Sequence, residues 1–438
     1  MCFLGAWRKK VTVIADEGDG NTHFNDAQIY ADGIIEPHCD FNVTKVYAES
    51  YLKVFYFDST RYPGVEAAII NSFQNGSLII NYTGHGDNDI WAFTHLFVPR
   101  FINGFTNFNK LPLCINPAAF NDFDDPAFLA SGERLLLRPN GGVIANICPS
   151  RGTYTYPAFQ ITTKLETALF TKVNSEYQRL GDAFRSAKIQ APANNESWCL
   201  LGDPALTLNY PKNQVVVNTL NGIPLTTASD TLFAGDSINI AGELHDVSGN
   251  LMPSFNGTLH LVIFDRQHTR HTLVNNPGSA IKAFKVWDDT LVNSAIPIIN
   301  GNFASTFVLP ESGVDSAYGK GKISFYADNG TTDASGCYTN FVFANLVFGV
   351  HENQMQNLQV SLQPNPSNNK MVIYVKGNQG KELYFTLRDL QGRAIQQHQL
   401  MNKIPFEISK ADMQAGMYLY SIETKDAKIV KRGRLVFE

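Results

Sequence analysis

No apolar run in the sequence approaches the roughly 18 residues that a membrane-spanning helix needs, so no transmembrane helix is expected. No block of like charge occurs either, and net charge is -5 with 17% charged residues. That excludes the basic footprint of a nucleic-acid-binding protein. The six cysteines (Cys2, Cys39, Cys114, Cys148, Cys199 and Cys337) are scattered without a CxxC pair. A thiolate zinc site is therefore not expected, nor a disulfide framework; each cysteine reads as a small buried hydrophobe. The opening MCFLGAWRKK lacks the basic-then-apolar order of a secretory signal. It runs straight into a strand and reads as the interior of a longer protein.

What is present is a large, well-furnished chain. Its 438 residues are 44% hydrophobic, enough for two to four packed domains. Thirty Phe and 17 Tyr favour β-structure.

Residues 1–212 alternate strand-like and helix-like segments. VTVIAD (11–16), NVTKVYA (42–48), SLIINYTG (77–84), LPLCIN (111–116) and GGVIANIC (141–148) read as strands. Residues 24–36 and VEAAIINSF (65–73) read as helices, the latter closed by Asn75-Gly76. The strands are short and continuously apolar, as parallel strands covered on both faces are. An open α/β sheet with right-handed crossovers follows. In such sheets function gathers at the carboxyl ends of strands.

From 213 the texture changes. Gly, Asn, Asp and Pro separate short alternating strands at 237–246, 257–265, 301–310 and 321–328, the pattern of a β-sandwich, predicted over 213–352. A further small sandwich is predicted over 355–438. Residues 351–438 carry 12 Lys and Arg against 8 Asp and Glu, whereas the whole chain is acidic. A basic terminal module of this kind suits separate recognition.

The chemistry-bearing motif is Gly84-His85-Gly86 at the end of an apolar strand. Small neighbours let the backbone turn and a substrate approach, and an imidazole there can act as a base or activate a thiol. A structural loop histidine is the competing reading. A thiol partner would sit at a neighbouring strand end. Cys148 ends the strand before PSRGTY, and Cys114 lies earlier, inside LPLCIN. Arg151 could depress a thiol pKa or bind an anion. The acidic cluster ADEGDGNTHFND (15–26) supplies Asp16, Glu17 and Asp26 as orienting acids for an imidazole. With Asp19 and Asn21 it also offers oxygen ligands suited to structural calcium, although its spacing is not that of an EF-hand. It is read first as a loop lining the cleft, with no cofactor required. LLGDPA (200–205) reads as a turn with a capping aspartate.

Together these segments resemble the gingipain-like cysteine peptidases, and within them the PorU-type sortases of type IX secretion in Bacteroidetes. The resemblance rests on ADEGDGNTHFNDA, RYPGVEAAI, NYTGHG followed by Trp91, NKLPL with FDDP, SGERLLLRPNGGVIA and LLGDPALTLNYP, in that order. SLQPNPSNNK, LRDLQGR, AGMYLYSI and KIVKRGRLVFE resemble the type IX C-terminal sorting domain. The resemblance implies a caspase-like α/β domain followed by two Ig-like β-sandwiches. It implies His85 as catalytic base and a cysteine nucleophile just before FDDP. It also implies protein cargo or peptide substrates, the secretion machinery as partner, and an extracellular, outer-membrane-associated location. This sequence departs from the pattern at one point. Asn116-Pro-Ala-Ala-Phe120 places Ala118 or Ala119 where the resemblance implies the cysteine. A methyl group cannot form the thioester that the chemistry requires.

Overall fold

A computed structural model describes the chain apart from residues 1–2, 58, 118–121, 124, 126, 226–229, 311–318, 345–358, 377–381, 390–392, 401–404, 412 and 426–428. The chain forms two compact units, Met1–Asn345 and Leu346–Glu438.

The first unit begins with a six-stranded sheet. Its strands are β1 (Lys10–Ala15), β2 (Asn42–Tyr47), β3 (Ile79–Thr83), β4 (Leu113–Ile115), β5 (Ala145–Pro149) and β6 (Trp198–Leu201). They lie in the order β6-β5-β4-β3-β1-β2. The first five pair in parallel, and only the edge strand β6 runs antiparallel, against β5. The segment read from sequence as a turn thus begins with this edge strand. Helices α1 (Thr22–Gln28), continued by a π-helical stretch Ile29–Ile35, α2 (Pro63–Gln74), α3 (Thr155–Phe170) and α4 (Leu180–Gln190) cover the faces.

Alternation along the strands sends residues to two different cores. Val11, Val13, Ala15, Ile79, Leu113, Ile115, Ala145 and Ile147 share one cluster with Phe24, Ile161, Leu165 and Phe184. Ile14, Ile80, Tyr82 and Cys114 share the other with Ile69, Phe73, Trp91 and Phe97. Both faces are buried, which is why the strands read as unbroken apolar runs.

The same unit carries a largely antiparallel sheet built from β7 (Asn213–Leu220), β8 (Ser237–His245), β9 (Gly257–Phe264), β10 (Thr290–Ile298), β11 (Asn302–Val308), β12 (Lys322–Asp328) and β13 (Asp333–Tyr338). Its order is β10-β9-β12-β13-β7-β8-β11. A three-stranded sheet that includes Asp230–Phe233 and Phe341–Ala344 contributes Leu232, Phe341 and Phe343 to the same core.

The boundary expected near 212 does not divide two compact units, because polar contacts stitch the two sheets together. The Arg8 guanidinium pairs with Asp333 and donates to Tyr210 O at 2.9 Å. The buried Lys9 ammonium donates to Phe325 O at 2.6 Å and Gly336 O at 3.1 Å. Lys322 donates to Phe41 O at 2.7 Å. A disulfide joins Cys39, just before β2, to Cys337 in β13. The expectation that every cysteine is a buried hydrophobe without a disulfide fails here. The two thiols are 298 residues apart, so no local spacing could announce the pair.

In the second unit, one three-stranded sheet contains Gln359–Gln363, Lys370–Lys376 and Phe406–Ser409. A four-stranded sheet contains Leu383–Arg388, Ala394–Leu400, Gly416–Thr424 and Ile429–Phe437. They share a core of Met371, Ile373, Phe385, Leu387, Ile422 and Leu435.

Candidate functional site

β3 delivers His85. The strand ends at Thr83, and its parallel neighbour β1 ends beside it, with Ala15 opposite Thr83. The next residue of each strand therefore meets the other: Asp16 comes against Gly84 and His85. Only glycine fits at 84. An added Cβ would lie 2.4 Å from Asp16 Cγ and 2.6 Å from the Tyr82 hydroxyl. The first glycine of the motif is thus explained by the close approach of a carboxylate.

Asp16 is buried and serves two imidazoles. One oxygen takes the His23 Nδ1 at 2.5 Å. The other accepts the His85 backbone N–H at 2.5 Å and meets the His85 Nδ1 at 2.8 Å. Burial alone would raise the Asp16 carboxyl, but its bonds to the two histidines outweigh that and hold it below its ordinary value. The Asp16 hydrogen bond pushes His85 up to about 9, against the opposing effect of burial and with help from Asp19 and Glu17. At neutral pH the imidazole therefore keeps its proton. Its Nε2 faces the Asp19 carboxylate at 3.1 Å. The two histidine rings stand edge to face, 4.8 Å apart.

These groups border a cavity of about 250 Å³. Its lining includes His23, Asp26, Tyr30, His85, Phe93 and Pro117. Phe93 is exposed and its ring lies 5.7 Å from that of His85. Burial pushes the Asp26 carboxyl up to about 6. Glu166, on α3, is fully buried; burial pushes it up to about 8, although the Asn81 amide donates to it at 2.8 Å.

Of the acids read from the sequence, Asp16 is the one hydrogen-bonded to the imidazole through Nδ1. Asp26 lines the cavity, and Glu17 is largely buried with its carboxyl raised by that burial. The structure does not bring the two thiol candidates to the cavity, whose lining includes neither. Cys114 sits inside β4 opposite Ile80 of β3, within the Trp91 core, and burial pushes its thiol up to about 12. Cys148 is fully buried in β5, opposite Cys199, where burial again raises the thiol well above its ordinary range. Burial corrects both candidate nucleophile roles, that of Cys148 read at a strand end and that of Cys114 read inside its strand, since a buried neutral thiol is inert. Arg151 is spent on Asp122, 3.2 Å away. Ala118 and Ala119 lie outside the described residues, whereas Pro117 just before them lines the cavity. His23 was missed by sequence reasoning. Its signal is position: seven residues after Asp16, on the first helix after the strand.

Residues 2–209 match the profile of peptidase family C25. The match covers the α/β module, just under half of the chain. Residues 361–435 match a secretion-system C-terminal sorting domain. Among solved structures, the chain is similar to the Arg-specific cysteine proteinase gingipain R, at 16% identity and a TM-score of 0.40. That match covers 78% of this chain and 68% of the other. It is also similar to the dimeric latent PorU of Porphyromonas gingivalis, at 16% identity and a TM-score of 0.32, covering 68% of this chain. The match spans 31% of the PorU chain. No curated protein matches the sequence. Residues 2–209 thus bring a histidine and a carboxylate together at two strand ends, and among the described residues no thiol lines their cavity.

Proposed function

We propose that this protein is a non-catalytic, surface-exported member of family C25 that binds peptide segments of other proteins in the His85 cavity. The terminal domain would engage the type IX machinery, as in Bacteroidetes, and leave the protein at the outer surface of the outer membrane. The observation that carries this reading is the state of the thiols. Cys114 and Cys148 are buried with raised pKa values, and the sequence reads alanine at 118 and 119, where the family resemblance implies the nucleophile.

The second reading is a PorU-like peptidase or sortase, in which a thiolate attacks a cargo carbonyl and an amine or water resolves the thioester. It draws its support from the retained His85–Asp16 contact at 2.8 Å. A thiol-reactive, peptide-like probe separates the two. No labelling of Cys114 or Cys148 is expected in the native chain. Ala118→Cys or Ala119→Cys should gain labelling that His85→Ala abolishes, a rate difference of several orders of magnitude. Efficient labelling of the unaltered chain that depends on His85 would overturn the non-catalytic reading. Deletion of 355–438 should abolish export, and unchanged export would overturn the sorting assignment.

A further inference from the structure

Asp16, His23 and His85 each offer a ligating atom, and these atoms lie within 4.8 Å of one another. We propose that this cluster is a site for a divalent transition-metal ion of the zinc class, bound at the strand ends where the resemblance implies a dyad. Two imidazoles and one carboxylate form a borderline nitrogen and oxygen donor set. Such a set suits zinc and its neighbours rather than calcium or magnesium, which prefer all-oxygen shells.

The surroundings fit a three-ligand site with an open fourth position. Asp16 and His23 are buried and fixed, whereas His85 is part-exposed at the cavity and leaves a path for entry. His23 and His85 both line the cavity, so solvent in it is available as a fourth ligand. The Asp19 carboxylate, 3.1 Å from His85 Nε2, lies on the far side of the ring from Asp16 and orients the imidazole rather than ligating the ion. An independent observation points the same way. Tyr30 lines the same cavity with its hydroxyl buried and without a hydrogen-bond partner of good geometry. A buried hydroxyl of that kind calls for a ligand or a bound water. Entry of the cation displaces the protons now shared between the carboxylate and the two ring nitrogens, and these leave to solvent. No redox change is involved.

A second cluster, His268 with Asp288 and Asp289, has a weaker claim. Asp288 is already held by Arg270 at 2.5 and 2.9 Å, and Asp289 is exposed.

The inference does not rest on peptide binding, because it is measured on the full chain without peptide. Equilibrium dialysis of the full-length protein against zinc chloride, followed by metal analysis, should retain one equivalent. Titration calorimetry should show that His23→Ala and His85→Ala each weaken binding about 100-fold or more, since even outer partners of a ligand cost 10–100-fold. His268→Ala should leave the affinity unchanged. Thermal melting of the metal-free variants checks that they fold. Cobalt substitution tests the site without mutation: a strong tetrahedral visible spectrum, bleached by zinc, is expected. No retained equivalent, native affinity in either histidine variant, or a weak hexaaqua-like cobalt spectrum would each overturn the proposal.

Discussion

Two buried polar clusters in the first unit use the same residue types to opposite ends. At the seam between the two sheets, Arg8, Lys9, Lys322 and Asp333 direct their polar groups at fixed partners, mostly backbone carbonyls and one another. At the strand ends, Asp16 satisfies two histidines, yet the cluster still opens on a cavity through the part-exposed His85. The first arrangement closes on itself, as a structural network does. The second leaves donors turned to solvent space, as a binding site does. Burial of charge alone does not separate structure from function; what separates them is whether the hydrogen-bonding capacity is spent.

The comparison is broken most forcefully by cutting the seam. Cys39→Ser removes a crosslink between residues 298 apart. Loss of such a bridge should lower stability by about 2–5 kcal/mol. The midpoint of urea unfolding should fall, and peptide and zinc affinity of the folded protein should not. Equal loss of ligand affinity under native conditions would show that the seam shapes the site as well.

The converse test touches the site. Gly84→Ala places a methyl against Asp16 and the Tyr82 hydroxyl. Overpacking of this kind should cost about 1–3 kcal/mol. It should also push Asp16 away from His85, so that ligand binding weakens more than stability does. An unchanged His85 NMR titration in this variant would show that the carboxylate does not need the glycine.

Much of this was legible in the sequence. Five apolar runs gave five parallel strands because both faces are covered, and His85 was placed at a strand end, but its carboxylate stayed open among Asp16, Glu17 and Asp26 until the register selected Asp16. What remained hidden depends on distance along the chain. Cys39 and Cys337 meet only because two sheets pack together, and Lys9 and Lys322 look like surface lysines until their neighbours are known. His23 escaped because a lone histidine on a helix is silent until the strand carrying Asp16 is placed beside it. The buried depth of Cys114 and Cys148 follows from register, which pairs Cys114 with Ile80 rather than with the strand end.

The smallest effect isolates one seam cation. Burial lowers Lys9 to about 7 and Lys322 to about 8, against an ordinary value of 10.5. A lysine depressed in the folded state binds fewer protons there than in the unfolded chain. Its contribution to stability therefore rises with pH between about 7 and 10.5, and is lost as pH falls through the folded value. Two groups oppose it. His85, raised to about 9, and Glu166, raised to about 8, hold protons in the folded state that the unfolded chain has released, so their contributions fall as pH rises through those values. The net slope of the native protein is a sum of opposites, and only a difference between variants reads one term. Lys9→Met removes its titration. Over pH 7.5–8.5 the slope of unfolding free energy against pH should drop by about 1 kcal/mol per unit, close to the full value for one proton. A parallel slope in the variant would mean that Lys9 keeps its charge in the seam. Lys9 would then be a cation held by carbonyls rather than a neutral amine, and the seam would resemble the strand-end cluster more closely than its closed hydrogen bonds suggest.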